Sequence, residues 1–227
     1  MNKLWIAIIA LITTSISLRA QNFEGSYLMH IENVKQKNTA DMQLTFKGEK
    51  SCMEMITAQN AGKFKTIIDK KEKTMTILVS KDETNKVAMV RKMPDASEMA
   101  NKEGKEPKIT VTDEAKTIEG YNCKKIIAES DDNTTEMWVT EELGLTYADM
   151  VGMMQSGGGA SSNMAANMHN YKDVKGIPLE MHMSSKLKPD EKTVITIKNI
   201  KKGNVDASIF DTTGYQFMDM SKMGAGK

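Results

Sequence analysis

The strongest constraint in this sequence is its period. Through most of the chain apolar and polar residues alternate one by one, in segments separated by short polar connectors. In Asp41 to Lys47, Met42, Leu44 and Phe46 fall on one side while Asp41, Gln43, Thr45 and Lys47 fall on the other, which is the pattern of a half-buried β-strand. Thr74 to Val79 repeats it with Met75, Ile77 and Val79 on the apolar side, and Cys52 to Thr57 repeats it with Met53 and Met55 inward and Cys52 and Glu54 outward. Further strands are expected at Glu24 to Val34, Lys63 to Asp69, Lys86 to Arg91, Lys108 to Thr112, Thr117 to Glu129, Thr135 to Thr140, Pro178 to Leu187 and Thr193 to Ile200.

The connectors, such as Lys35 to Asn38, Lys47 to Lys50, Asp69 to Lys73 and Ser130 to Asn133, leave no room for the crossover helices of a parallel sheet. The strands are therefore expected as antiparallel neighbours in one mainly β domain, and a sheet of this many strands twists and curls. Two stretches break the rhythm. Residues 93–107 carry two prolines and few apolar side chains and read as a loop. Glu141 to Gln155 predicts a helix from about Thr146, with Tyr147, Met150, Val151 and Met154 on one side, ended by Ser156 to Ser162. The loop 156–176 that follows is either a loose connection or part of a cover over the sheet.

The start of the chain reads as a cleavable export signal over residues 1–20: Lys3, then the apolar run Leu4 to Ile12, then a polar stretch ending at Ala20. Nine apolar residues are too few for a span, which needs about 20, so no transmembrane segment is expected after cleavage. The remaining chain, a single domain over 21–216 with a flexible tail at 217–227, is expected to be soluble and periplasmic or secreted. Without Lys3 and Arg19 the 31 basic residues fall to 29 against 30 acidic ones, a net charge of about −1. That balance, with no basic run, excludes the electrostatic footprint of a nucleic-acid binder.

Twenty methionines against 12 aromatic residues make thioethers an unusual share of the apolar surface. Soft sulfur outside the cytoplasm suits Cu(I), which makes the pairs Met53/Met55, Met181/Met183 and Met218/Met220 candidate ligands. On a strand Met181 and Met183 face one way and His182 and Glu180 the other, so the Met-His-Met run cannot chelate locally. Neither His30 nor His169 adds ligand spacing, and no metal or other cofactor is expected. Serine-hydrolase elbows, zinc-protease helices, Cys-x-x-Cys and phosphate loops are all missing, which points away from an enzyme. Cys52 and Cys123, 71 positions apart, are permitted to pair in an oxidising compartment. Spacing does not decide whether they do.

Several segments together resemble a known family. Phe23-Glu24-Gly25, Phe46-Lys47-Gly48 with Cys52-Met53-Glu54-Met55, Lys73 to Leu78, Ile118-Glu119-Gly120-Tyr121-Asn122-Cys123-Lys124-Lys125, Met137-Trp138-Val139 and Gly176-Ile177-Pro178-Leu179-Glu180-Met181 are similar to the exported domain of unknown function 4412, over roughly Phe23 to Tyr215. Cys52 stands where that family more usually has a basic residue. The family is distantly similar to outer-membrane lipoprotein carriers of the LolA and LolB type. This resemblance implies an incomplete antiparallel barrel whose concave face is covered by one to three short helices and holds acyl chains.

Together these observations predict a non-enzymatic binding protein that shelters a lipid or lipoprotein acyl chain. The chain is expected against Met42, Leu44, Phe46, Met53, Met55, Met75, Ile77, Val79, Met181 and Met183, under a cover that includes Tyr147, Met150 and Met154. Release is expected to move the Tyr147 to Lys175 segment. Two other classes stay open: a Cu(I)-binding methionine-rich protein, and an envelope interaction domain in which the same rows form a filled core.

Overall fold

The computed structural model describes residues 23–56, 63–93, 107–156, 171 and 174–219. The export signal expected at 1–20 lies outside the described residues, as do 94–106 and most of the 156–176 loop. Six strands follow one another as a meander: β1 (Gly25–Asn33), β2 (Asn38–Lys47), β3 (Lys50–Ile56), β4 (Lys63–Asp69), β5 (Thr74–Ser80) and β6 (Lys86–Lys92). A second meander has β7 (Lys108–Ile118), β8 (Tyr121–Glu129) and β9 (Asn133–Thr140), then helix α1 (Tyr147–Ser156), then β10 (Ile177–Ser185) and β11 (Lys192–Lys202). A short 3-10 helix (Ala207–Phe210) and β12 (Gln216–Asp219) complete the described chain.

Antiparallel pairing of β1 with β11 joins the meanders into one sheet of twelve strands, ordered β12-β6-β5-β4-β3-β2-β1-β11-β10-β9-β8-β7. The sheet is curved and unclosed. The corner between β7 and β8 is built for its twist: Glu119 and Gly120 both take positive φ, 51° and 84°, as hairpin turns that match strand twist require. The segment Thr117 to Glu129, expected as one strand, is therefore the end of β7, this turn and β8. At Gly176, with φ 90°, any Cβ is blocked by the Thr140 carbonyl, so glycine is what lets β10 start beside the end of β9.

The alternation buries one face. Tyr27, Met29, Met42, Leu44, Phe46, Met53, Ile126, Met137, Met181, Ile195 and Ile197 belong to one cluster that α1 completes. A smaller cluster lies on the opposite face, where Cys52, Ile67, Leu78 and Ala88 are covered by Ile209, Phe210 and Tyr215 from the 3-10 helix and the turn after it.

Three expectations are corrected. Val79, read as inward, is exposed at 36% and Ile77 is half-buried, whereas Leu78 between them is buried at 1%. Met75, Ile77 and Val79 share the face of Met53 and Leu44, since Ile77 pairs with Thr66, but cover on that face thins along β5 from Met75 to Val79. The opposite side at Leu78 is covered by the C-terminal segment. Not every pair is antiparallel: β12 runs parallel to β6, with Gln216 opposite Val87 and Asp219 opposite Val90. The 3-10 segment carries the chain back across the outer face and supplies this crossover. The tail expected from 217 accordingly begins as strand. Phe217 and Met218 stay exposed, so β12 is held by backbone pairing to an otherwise open edge, which leaves no mark in the apolar pattern.

Candidate functional site

Helix α1 starts at a capping box. The Asp149 carboxylate accepts from the Thr146 N–H (2.9 Å) and hydroxyl (2.7 Å), and the Asp149 N–H donates to Thr146 Oγ1 at 3.2 Å. Beyond this cap, Tyr147, Met150, Val151, Met153 and Met154 are all buried. Polar contacts reach the sheet side from Asp149 Oδ1, to Lys70 Nζ at 2.6 Å, and from the Met153 sulfur, which accepts from the Ser51 hydroxyl at 2.9 Å. Tyr171, edge-on to Tyr147 at 5.7 Å between ring centroids, extends the cover and shares a 3.0 Å hydrogen bond with Thr135.

Below α1 the registers stack side chains across strands. Tyr27, Leu44, Met53 and Thr66 are successive partners from β1 to β4. Ile126, Met137, Met181, Ile195 and Ile31 make a second row from β8 through β11 to β1. The structure thus brings Met42, Leu44, Phe46, Met53, Met181, Tyr147, Met150 and Met154 into one cluster, with Met55 and Met183 half-buried at its margin. Met75 is buried outside this cluster, its sulfur accepting from Arg91 Nε at 3.2 Å. Ile77 and Val79 do not join. Tyr27, Met29 and Met137 are central residues that the sequence reading left out, although the same alternation in β1 and β9 marks them. Met153 was missed because it lies beside the four-residue stripe of the helix.

Tyr27, Met29, Leu44, Met137, Met150 and Ile177 show no surface to water, so the space between α1 and the sheet around them is packed. An open groove of ≈ 1110 Å³ lies on the other face, with polar lining that includes Gln43, Thr45, Lys65 and Lys201.

The profile of a family described as a domain of unknown function, DUF4412, matches residues 23–214. The chain belongs to this family. No curated protein matches it. Among solved structures it is similar to PNGF-II (16% identity, 86% of this chain and 31% of that chain, TM-score 0.47). It is also similar to an uncharacterized conserved protein from Thermus thermophilus (7% identity, 86% and 91%, TM-score 0.48), and to a LolA superfamily protein from Nitrosomonas europaea (8% identity, 84% and 91%, TM-score 0.36). The DUF4412 chain spans about a third of the length of the PNGF-II chain.

The electrostatics of the DUF4412 site centre on the start of α1. Burial pushes the Asp149 carboxyl up, but the Lys70 ammonium and the Thr146 hydrogen bonds outweigh it and hold the carboxyl below its usual range. Burial, and then the Asp149 charge, push the Tyr27 phenol up. The hydroxyls of Tyr27, Thr66 and Tyr147 are buried without a hydrogen-bond partner.

The two cysteines are free and buried. Cys52 on β3 and Cys123 on β8 have five strands between them and belong to clusters on opposite faces, which bonding geometry cannot bridge. Burial pushes the Cys52 thiol up to about 11. His182 pairs with Glu180 at 2.8 Å and His30 with Asp41 at 2.6 Å. Among the described residues, no three His, Cys, Asp or Glu side chains converge on a metal-sized site. No helix among them is long and apolar enough to cross a membrane.

Proposed function

We propose that this DUF4412 protein is an exported, non-enzymatic binding protein that holds a lipid or lipoprotein acyl chain against its concave face, in the place α1 occupies here. The observation that carries this reading is the chemistry of the α1 seat. Met150, Met153 and Met154 of the helix share one cluster with Met29, Met42, Met53, Met137 and Met181 of the sheet. Thioethers are flexible and polarizable and repack around apolar partners of varied shape, so methylenes can replace the helix side chains at similar transfer free energy per unit area. Polar contacts from α1 to the sheet side include the Lys70 pair at its first turn and the buried Ser51 contact to Met153. The apolar run Leu4 to Ile12 after Lys3, read as an export signal, supports export.

The packed space supports a second reading, in which α1 never leaves and the domain acts through its outer surface. Protein purified without detergent separates the two by native mass spectrometry and by uptake of a fluorescent fatty acid. A co-purified lipid, or stoichiometric uptake that exposes α1 amides to hydrogen exchange, supports the carrier. Neither lipid nor uptake, with α1 protected throughout, overturns it.

A further inference from the structure

Helix α1 has the outline of the molecule proposed to replace it. Its first turn carries one half-buried acid, Asp149, whose carboxylate meets Lys70 Nζ at 2.6 Å. The following turns carry Met150, Val151, Met153 and Met154, all buried. A charged head followed by an apolar body is the plan of an ionised single-chain amphiphile, so the helix seat already satisfies both parts. In the same cluster beneath α1 the Tyr27 hydroxyl is completely buried and unpartnered. Buried hydroxyls are nearly always paired, and a second state in which Tyr27 donates to an acceptor gives this one a purpose.

Resting on the acyl-chain reading above, we infer that the ligand carries an anionic oxygen head, received by Lys70 once Asp149 has moved away and hydrogen-bonded by the Tyr27 hydroxyl. Lys70 is suited to the exchange. It lies in the turn directly after β4, outside the helix, so it stays with the sheet when α1 moves, and its side chain is half exposed. An ammonium paired with an ionised oxygen is roughly twice as strong a hydrogen bond as a neutral pair, so a head of this charge gains at the moment the internal pair breaks. The tail then lies along Leu44 and Met53, the row that continues from Tyr27.

The test uses the full chain, purified without detergent, with palmitate, hexadecyl phosphate and methyl palmitate competing against a fluorescent apolar probe. Expected is at least about tenfold tighter binding of either or both anions than of the neutral ester. Palmitate leading identifies a free carboxylate as the source of the head, and hexadecyl phosphate leading identifies a phospholipid-type head. Lys70→Met is expected to abolish the preference without weakening methyl palmitate. Tyr27→Phe, which removes no hydrogen bond from the closed state, is expected to fold as stably as the parent and to weaken only the anions, severalfold. Equal affinity for all three, or a preference that survives Lys70→Met, overturns the anionic head and leaves the acyl-chain reading standing. Anions that bind Tyr27→Phe as tightly as the parent remove Tyr27 from the head site. Failure of all three probes to bind overturns the acyl-chain reading itself.

Discussion

Lys70 and Asp149, 79 positions apart in the sequence, meet at 2.6 Å and tie the first turn of α1 to the corner after β4. The same carboxylate closes the capping box with Thr146. Asp149→Ala removes both at once. The expected cost is about 1–2 kcal/mol, the usual size of a lost N-cap interaction, with little added by the half-exposed lysine. Hydrogen exchange resolved by segment checks it: α1 amides gain exchange while those of β1 and β2 keep their protection.

The same residue gives a pH dependence. The carboxyl of Asp149 is held below its usual range in the folded state, so the folded protein binds its proton less readily than the unfolded chain does. Stability from this group is fully present above the ordinary carboxylate pKa of about 4 and is lost as pH falls through the lower folded value. Urea denaturation at a series of pH values is expected to show a smaller acid loss in Asp149→Asn than in the parent. Parallel profiles for the two proteins contradict the assignment.

Thr66 is completely buried and its hydroxyl has no partner. Thr66→Val keeps the branched shape that suits β4 and removes the unpaired group. A gain of about 1 kcal/mol in unfolding free energy is expected, read from a shift of the denaturation midpoint at constant slope.

Burial along β5 is tested by contrast. Leu78→Ala, in the cluster with Cys52, Ile67 and Ala88, is expected to cost about 2–5 kcal/mol. Val79→Thr, on an exposed position, is expected to stay within about 0.5 kcal/mol. Equal losses at the two positions contradict this difference in burial.

That strand also shows what alternation does and does not reveal. In β2 the period fixes which side is buried, because Met42, Leu44 and Phe46 face α1 and Gln43 faces solvent and the outer groove. In β5 the period finds the face, because Ile77 pairs with Thr66 in the row of Met53 and Leu44, but not how far that face is covered: Met75 is buried, Ile77 half-buried and Val79 exposed, while Leu78 on the other side is buried. The deciding fact is the return of the 3-10 segment over the opposite face, a contact between residues more than a hundred positions apart. The cover was legible at Tyr147, Met150, Val151 and Met154 because helical spacing is local. The Lys70 to Asp149 and Ser51 to Met153 contacts were not, because each depends on how the sheet curves beneath the helix.

Strand β12 carries the last prediction. Its four residues are all exposed, yet it pairs along β6 from Val87 to Val90. Its side chains therefore add little burial, and its effect is to occupy backbone donors and acceptors at the sheet edge. A chain shortened to end at Tyr215 retains the residues that cover Cys52 and Leu78, so it is expected to fold with a melting temperature within a few degrees of the parent. Its exposed β6 edge is expected to pair with other copies. Light scattering over a concentration series reads this directly: dimers or larger species appear in the shortened chain at concentrations where the full chain shows none, and Val90→Pro, which removes a donor from that edge, reverses the effect. A shortened chain that matches the parent at every concentration shows that β12 does not guard the edge.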